Sequence, residues 1–493
     1  MSRLSRRLFL GHAAVLSLAS CQAGRIGELP TRDGGGPGDP DGGSPDDGGI
    51  ARDAGASTTD AGSGSIIDDR FGTGTDAGHF AADVWSPGRD ATGQVNAVSW
   101  QLVPVGRWVE VEGTALQSIE PQVKAAVPAW RDWGTEGWGG VTNDWNGFAI
   151  DTKGNRLWLF GGGHSGSSNN GIYRFDAMRM KWAIEDLPSD PTPWSTDYKM
   201  TGARGGTYTG CAESAEVYNA AVAAGTLQTI NGPYSDELFW DKKPTSRHTY
   251  SSMVFVPESN ELVMVCRRLW RYSLTEHRWT YKRLIRDLTT AYLDGENMVT
   301  LYDEVRGEVL VSAAGSSGIY NATGYSLATN QWVDWGSPWN LYSTVADVRV
   351  GRREVIVTPA TKPGGGYGAN PGRYWNYDLD GRQLISSGEM TMLEGLTTDG
   401  FPPSDLFYDS PALAYIPHSD RYWLFTLDGT RQMSLFEINP NTVPWSIRVM
   451  PPMLGKVPNP GRNLERKMVL LPTLNAVLLC DDAGKNFSLY RLS

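Results

Sequence analysis

The sequence predicts an all-β fold, a β-propeller of six blades whose last blade is completed by an N-terminal strand. Three observations predict it. Short apolar or aromatic strands recur in groups of four, about every 50–60 residues, between Asx, Gly and Pro turns. The last group stops at Ser493 one strand short, while a strand of the missing kind stands alone at Trp108-Val109-Glu110-Val111. The composition, 58 Gly, 29 Pro and 19 Trp in 493 residues, is rich in turn and aromatic residues and argues against a helical bundle.

The chain opens on a leader. Arg6-Arg7-Leu8-Phe9-Leu10 precedes a short apolar stretch that ends at Ala19. A basic segment before about 12 apolar residues is a signal peptide, too short to span a bilayer stably. The paired arginines resemble a twin-arginine export signal, with Gly11 where that pattern often has Lys. Leu18-Ala19-Ser20-Cys21 resembles a bacterial lipobox, which makes Cys21 the expected lipidation site and residues 1–21 the leader. The alternative is a plain secretory signal with a chance cysteine. The expected location is the cell envelope, with the membrane contacted through the lipid alone.

Residues 22–79 are Gly-, Asp-, Pro- and Ser-rich and are expected to be a flexible tether, because they cannot bury enough apolar surface to offset chain entropy. The body is expected over 80–493. A net charge of −11 argues against a nucleic-acid partner, which calls for a basic face. A monomer is expected, and no cofactor is assigned. Beyond Cys21 the cysteines are Cys211, Cys266 and Cys480, an odd number. Cys211–Cys266 is the better pair, and three small core residues is the alternative.

The first repeat is the clearest. Phe148-Ala149-Ile150 leads through the turn Asp151–Asn155 to Leu157-Trp158-Leu159-Phe160, then Gly161-Gly162-Gly163, Ile172–Asp176 and Trp182. Further copies begin near Met253, before Asp303, near Ala346, at Leu413 and at Met468. The fourth is the weakest. The long gap at 187–245 is read as an insertion, a degenerate seventh blade being the alternative. Leu159-Phe160-Gly161-Gly162-Gly163 with Tyr173, Asp176 and Trp182 resembles a kelch-type β-propeller. The resemblance covers about 100–493, is carried mainly by the first copy, and implies the fold without implying one function.

In such a blade the loop after the second strand and the segment entering the first strand share one end. His164 lies in the first kind of position and His248 in the second, in adjacent copies. Tyr250 and Arg247 flank His248, and Trp145 precedes the first blade. Tyr208 in the insertion and Arg373 in a later loop are expected at the same end. Imidazole, phenol and guanidinium groups there suit a glycan: aromatic walls for sugar rings, Arg for a carboxylate.

Three readings follow. The first is a glycan-binding module. The second is a polysaccharide lyase, with His164 or His248 and Tyr250 or Tyr208 as base and acid and Arg247 or Arg373 neutralising a uronate. Some bacterial propeller lyases of ulvan are similar in using His, Tyr and Arg. The third, least supported, is a copper radical oxidase of galactose oxidase type, which the kelch resemblance brings in. For every one of these residues the plain alternative is loop packing.

Overall fold

A computed structural model describes residues 76–128, 137–143, 146–161, 167, 169–190, 243–244, 246, 249–266, 268–283, 299–312, 320–339, 345–358, 373–393, 411–427, 433–451, 453–460 and 464–492. The chain divides into Met1–Gly64 and Ser65–Ser493, and all described residues belong to the second unit. The leader, Cys21, most of the tether and nearly all of the 187–245 insertion lie outside them. Among the described residues no helix is long and apolar enough to cross a membrane.

The fold is all-β, with six sheets. Sheet 1 runs Ala149–Asp151, Arg156–Phe160, Ile172–Asp176 and Lys181–Asp186. Sheet 2 runs Met253–Val256, Glu261–Cys266, Arg268–Ser273 and Arg278–Arg283. Sheet 3 runs Val299–Asp303, Glu308–Ser312, Tyr320–Ser326 and Gln331–Trp339. Sheet 4 runs Val345–Arg349, Glu354–Thr358, Arg373–Asp378 and Gln383–Glu389, so the weak fourth repeat is a full four-stranded meander. Sheet 5 runs Ala412–Ile416, Arg421–Leu427, Met433–Asn439 and Ser446–Val449, and Thr391–Met392 pairs with its last strand.

The strands are short because turn chemistry ends each one. In the first hairpin Asp151 Oδ1 accepts from Lys153 N and Gly154 N at 3.1 and 2.8 Å, and Asn155 takes φ +53°. Asn260, Arg353, Asp420 and Asn475 hold the same left-handed position in the first hairpins of sheets 2, 4, 5 and 6. A side chain that caps its own turn and tolerates positive φ fixes the hairpin register.

Sheet 6 joins the two ends of the body. Met468–Leu471, Ala476–Leu479 and Ser488–Arg491 are followed spatially by Arg107–Val111, the strand that stands alone in the sequence. Its register is antiparallel, Leu489 opposite Val109 and Tyr490 opposite Trp108. Two features were not foreseen. The hairpin Gly78–Ala81/Val84–Pro87 lays its second strand parallel to Arg107–Val111, and Leu454–Gly455 pairs with the start of that same strand. Together they cover an edge that would otherwise expose unpaired backbone groups.

Each apolar cluster joins two consecutive sheets. Trp158 and Phe160 of sheet 1 pack with Met264 and Trp270 of sheet 2. Val263 packs with Val309, Leu310 with Tyr377, Tyr374 with Tyr422, and Trp423 with Val477. The sixth cluster brings Val469, Leu471 and Leu478 of sheet 6 onto Leu157 and Phe175 of sheet 1. The first strands of successive sheets also touch from sheet 1 through to sheet 6. Being covered on both faces, the first strands of sheets 2 and 5 are wholly buried.

Candidate functional site

Buried polar residues converge where the chain enters the first strands of sheets 1, 2 and 6. Asn146, at the entry to sheet 1, is fully buried and uses its whole amide. Its Oδ1 accepts from Thr249 N and Oγ1 at 2.9 and 3.1 Å, and its Nδ2 donates to Val141 O and Gly140 O at 3.2 and 3.3 Å. Asn146 and Tyr250 form a parallel bridge. Asn170, also buried, closes the loop after the second strand of sheet 1. Its Nδ2 donates to Ser189 Oγ at 2.8 Å and to Pro244 O at 3.0 Å, and its Oδ1 accepts from Ser189 N at 2.8 Å. A buried amide with both ends satisfied is a strong positional tie.

Gly147 is the pivot of this region. A Cβ there would stand 2.5 Å from Glu465 O, 2.6 Å from Tyr250 O and 3.0 Å from Arg466 Cβ, so only glycine lets the three entries approach. Tyr250 and Arg466, on its two sides, take φ +47° and +49°. Most other non-glycine residues with positive φ sit in hairpin turns, where that conformation is ordinary. At strand entries, on bulky side chains, it is strain that the surrounding packing must hold in place, at a cost of about 1–3 kcal/mol each.

Arg466 reaches from sheet 6 past sheet 1 to sheet 2. Its Nη1 donates to Met253 O at 2.8 Å and Ser251 O at 3.3 Å. Burial lowers its pKa to about 10, against the opposing field of Asp347 in the first strand of sheet 4. Burial in turn pushes Asp347 up to about 6, opposed by N–H donors from Tyr415 at 2.7 Å and Val348 at 2.8 Å and by the charge of Arg466. Asn169 Nδ2 and the hydroxyls of Ser246, Ser251 and Ser252 are buried without a hydrogen-bond partner among the described residues.

Of the residues singled out by sequence, Tyr250 is described at this convergence, 7% exposed. His164, Arg247, His248, Trp145 and Tyr208 lie outside the described residues, as does Cys211 of the suggested disulfide. The described neighbours of three of them are the residues tied above: Asn146 follows Trp145, Asn170 closes the His164 loop, and Thr249 follows His248. Arg373 opens the third strand of sheet 4, opposite Glu389. Sheet 4 packs on sheets 3 and 5, and the Arg373 side chain lies outside the described residues. His277 lies in a hairpin turn of sheet 2, its Nδ1 3.3 Å from Tyr272 Oη. Cys480 is a buried free thiol, pushed up to about 12 by burial, which keeps it protonated.

Sequence reading missed Gly147, Asn169, Asn170, Arg466 and Asp347. One signal was available: Asp347 stands between Ala346 and Val348 in a first strand, where a charge must have a reason. No protein-family model matches the chain, and no curated protein sequence matches it significantly.

Proposed function

We propose that the six sheets are the blades of a kelch-type propeller, and that the protein is an exported, lipid-anchored module that binds a glycan at the end carrying His164 and His248. Six clusters that each join consecutive sheets, the last returning to sheet 1, support the propeller. Pairing of the N-terminal strand with the C-terminal one supports its closure.

The observation that carries the binding reading is the pair of amide ties. Asn170 to Pro244 fastens the base of the His164 loop to the segment that leads to His248, and Asn146 to Thr249 fastens the residue after Trp145 to the residue after His248. The three segments that carry Trp145, His164, and Arg247 with His248 and Tyr250 are therefore tied to one another at their described neighbours. Loops on a rigid scaffold are where binding groups concentrate.

Lyase activity is the second reading, and the strained, buried Tyr250 favours it. A phenol fixed in a costly backbone conformation is a suitable proton donor to a leaving oxygen. One screen separates the two. His164→Ala and His248→Ala are assayed against uronate-containing polysaccharides, by binding and by near-ultraviolet absorbance of the unsaturated uronate that elimination creates. Binding lost in both variants, without new absorbance from the parent protein, supports the module. Absorbance that depends on either histidine supports the lyase. Unchanged binding in both moves the site elsewhere. For the anchor, Cys21→Ser is expected to abolish incorporation of labelled palmitate, and incorporation that survives it refutes lipidation at Cys21.

A further inference from the structure

A non-glycine residue with positive φ persists only where its surroundings over-determine it. Tyr250 is such a residue, and its turn makes the strain specific. Ser252 N donates to Thr249 O at 2.7 Å, so Tyr250 is the first central residue of a tight turn, at φ +47°, while Ser251 is outside the left-handed region. A turn with positive φ at its first central residue alone favours Gly there. A buried tyrosine therefore stands where glycine is usual, and the turn must be held on both sides of it.

Before the tyrosine, Asn146 fixes Thr249 through its N and Oγ1. After it, the Ser251 carbonyl accepts from Thr300 N at 2.9 Å and Thr300 Oγ1 at 3.0 Å, both from the first strand of sheet 3. Arg466 adds a charged tie from sheet 6. Its Nη1 spans Ser251 O and Met253 O, the carbonyls one and three residues beyond Tyr250. The Arg466 backbone belongs to the same contact. Lys467 N donates to Leu464 O at 2.9 Å, which makes Arg466 a central residue of its own turn, at φ +49°, and Gly147 lies against both the Tyr250 carbonyl and the Arg466 Cβ. Burial lowers the guanidinium only to about 10, so it stays charged and donating at neutral pH. Hydrogen bonds from a charged donor are the stronger kind. Arg491 also donates to two backbone carbonyls, Val103 O at 3.0 Å and Trp100 O at 3.3 Å, but neither is next to a residue with positive φ.

We propose that Arg466 is a positioning residue for Tyr250: its bonds to the Ser251 and Met253 carbonyls hold the turn in a glycine-type conformation and so fix where the phenol stands at the entry to sheet 2. What the phenol then does, as a wall for a sugar ring or as a proton donor, rests on the functional reading above. The fixing of Tyr250 does not.

The test places a ring-fluorinated tyrosine at position 250 of the full chain and reads its fluorine resonance, together with amide hydrogen exchange over 249–253. The parent is expected to give one resonance, displaced from that of the free amino acid. Arg466→Met keeps the length of the side chain and removes its donors. It is expected to move or split that resonance and to speed exchange over 249–253 about tenfold or more, the scale of a lost hydrogen bond from a charged group, with exchange over Glu261–Cys266 unchanged. Arg466→Lys, with a point donor in place of the fork, is expected to fall between the two. Arg491→Met removes another arginine held by carbonyls and is expected to leave the Tyr250 resonance in place. A resonance unchanged in Arg466→Met overturns the proposal. So does an equal change in Arg491→Met, or faster exchange throughout sheet 2, which is loss of structure rather than of position. Should Arg466→Met fail to fold, Arg466→Lys decides, and resonance and exchange identical to the parent's overturn the proposal. The expected resonances in a protein that binds no uronate-containing polysaccharide refute the glycan reading and leave the positioning of Tyr250 standing.

Discussion

Replacing Trp108 by Ala tests whether the N-terminal strand holds the body together. Trp108 is fully buried in the cluster shared by sheets 5 and 6, with its ring 5.3 Å from Tyr490 and its Nε1 2.9 Å from Met453 Sδ. Val109, one residue on, is also fully buried but points into the cluster shared by sheets 6 and 1. Alternation along one strand thus places two adjacent side chains in two different interfaces. Truncating a buried Trp costs about 3–5 kcal/mol, the transfer loss plus the cavity. Val109→Ala removes two methyl groups, about 1.5–2 kcal/mol at ~0.8 kcal/mol each plus a small cavity. In urea, with m near ~3 kcal/mol/M, a loss of about 4 kcal/mol lowers the midpoint by about 1 M. The assay is equilibrium urea unfolding followed by far-ultraviolet circular dichroism, which is insensitive to the loss of one fluorophore. Deletion of residues 22–64 serves as the control and is expected to leave the midpoint unchanged. A Trp108→Ala midpoint within about 0.2 M of the parent refutes a closing role for this strand, because a fully buried Trp cannot be removed from an intact interface at so little cost.

Three further outcomes follow from the same geometry. Gly147→Ala sets a methyl against two backbone carbonyls that cannot rotate away, so a loss of about 2 kcal/mol or more is expected in urea unfolding, with Ala149→Gly as a comparison that adds no clash. Arg349→Ala strips the countercharge from Asp420 and Glu354, for an expected loss of about 3–5 kcal/mol at neutral pH. Arg349 holds the Asp420 carboxyl well below the usual range, so that stabilisation is present above about pH 4 and is lost as pH falls further; the variant should lose less stability than the parent on acidification. Asp347 has the opposite sign. Its carboxyl is raised to about 6, so the folded state holds a proton that the unfolded chain releases near pH 4, and stability falls as pH rises from about 4 to about 6. Asp347→Asn should flatten that part of the stability–pH curve, and a curve that keeps its slope refutes the assignment.

The legible parts of the fold were those written in local chemistry. The hairpin at Asp151–Asn155 shows itself through an Asx residue and an Asn suited to positive φ, and the same device recurs at Asn260 and Asn475. The third strand of sheet 4, Arg373–Asp378, was visible as an aromatic run. Its partner Gln383–Glu389 was not, because its burial pattern leaves mostly exposed and half-buried side chains. The capping hairpin Gly78–Ala81/Val84–Pro87 was hidden for another reason. Only Trp85 among its second-strand residues is buried, and its pairing partner is chosen by a strand more than twenty residues away. At the candidate site, Tyr250 was found from its place beside His248. Arg466 and Gly147 were not, since an arginine before a strand and a glycine before a strand look ordinary.

The sequence by itself determined the all-β class, the order of the repeats, several of the turns within them, and the strand that would complete sheet 6. These follow from side-chain periodicity, β-branching and turn preference, which act over a few residues. The tertiary structure alone decided that the entries to sheets 6, 1 and 2 close on Gly147, and that Arg466 spans 215 residues of chain to reach Ser251. It alone decided that Asp347 titrates well above an ordinary carboxyl. Each of these depends on distances and burial between residues remote in sequence, and desolvation, close approach and the field of one buried charge on another exist only once the sheets have packed.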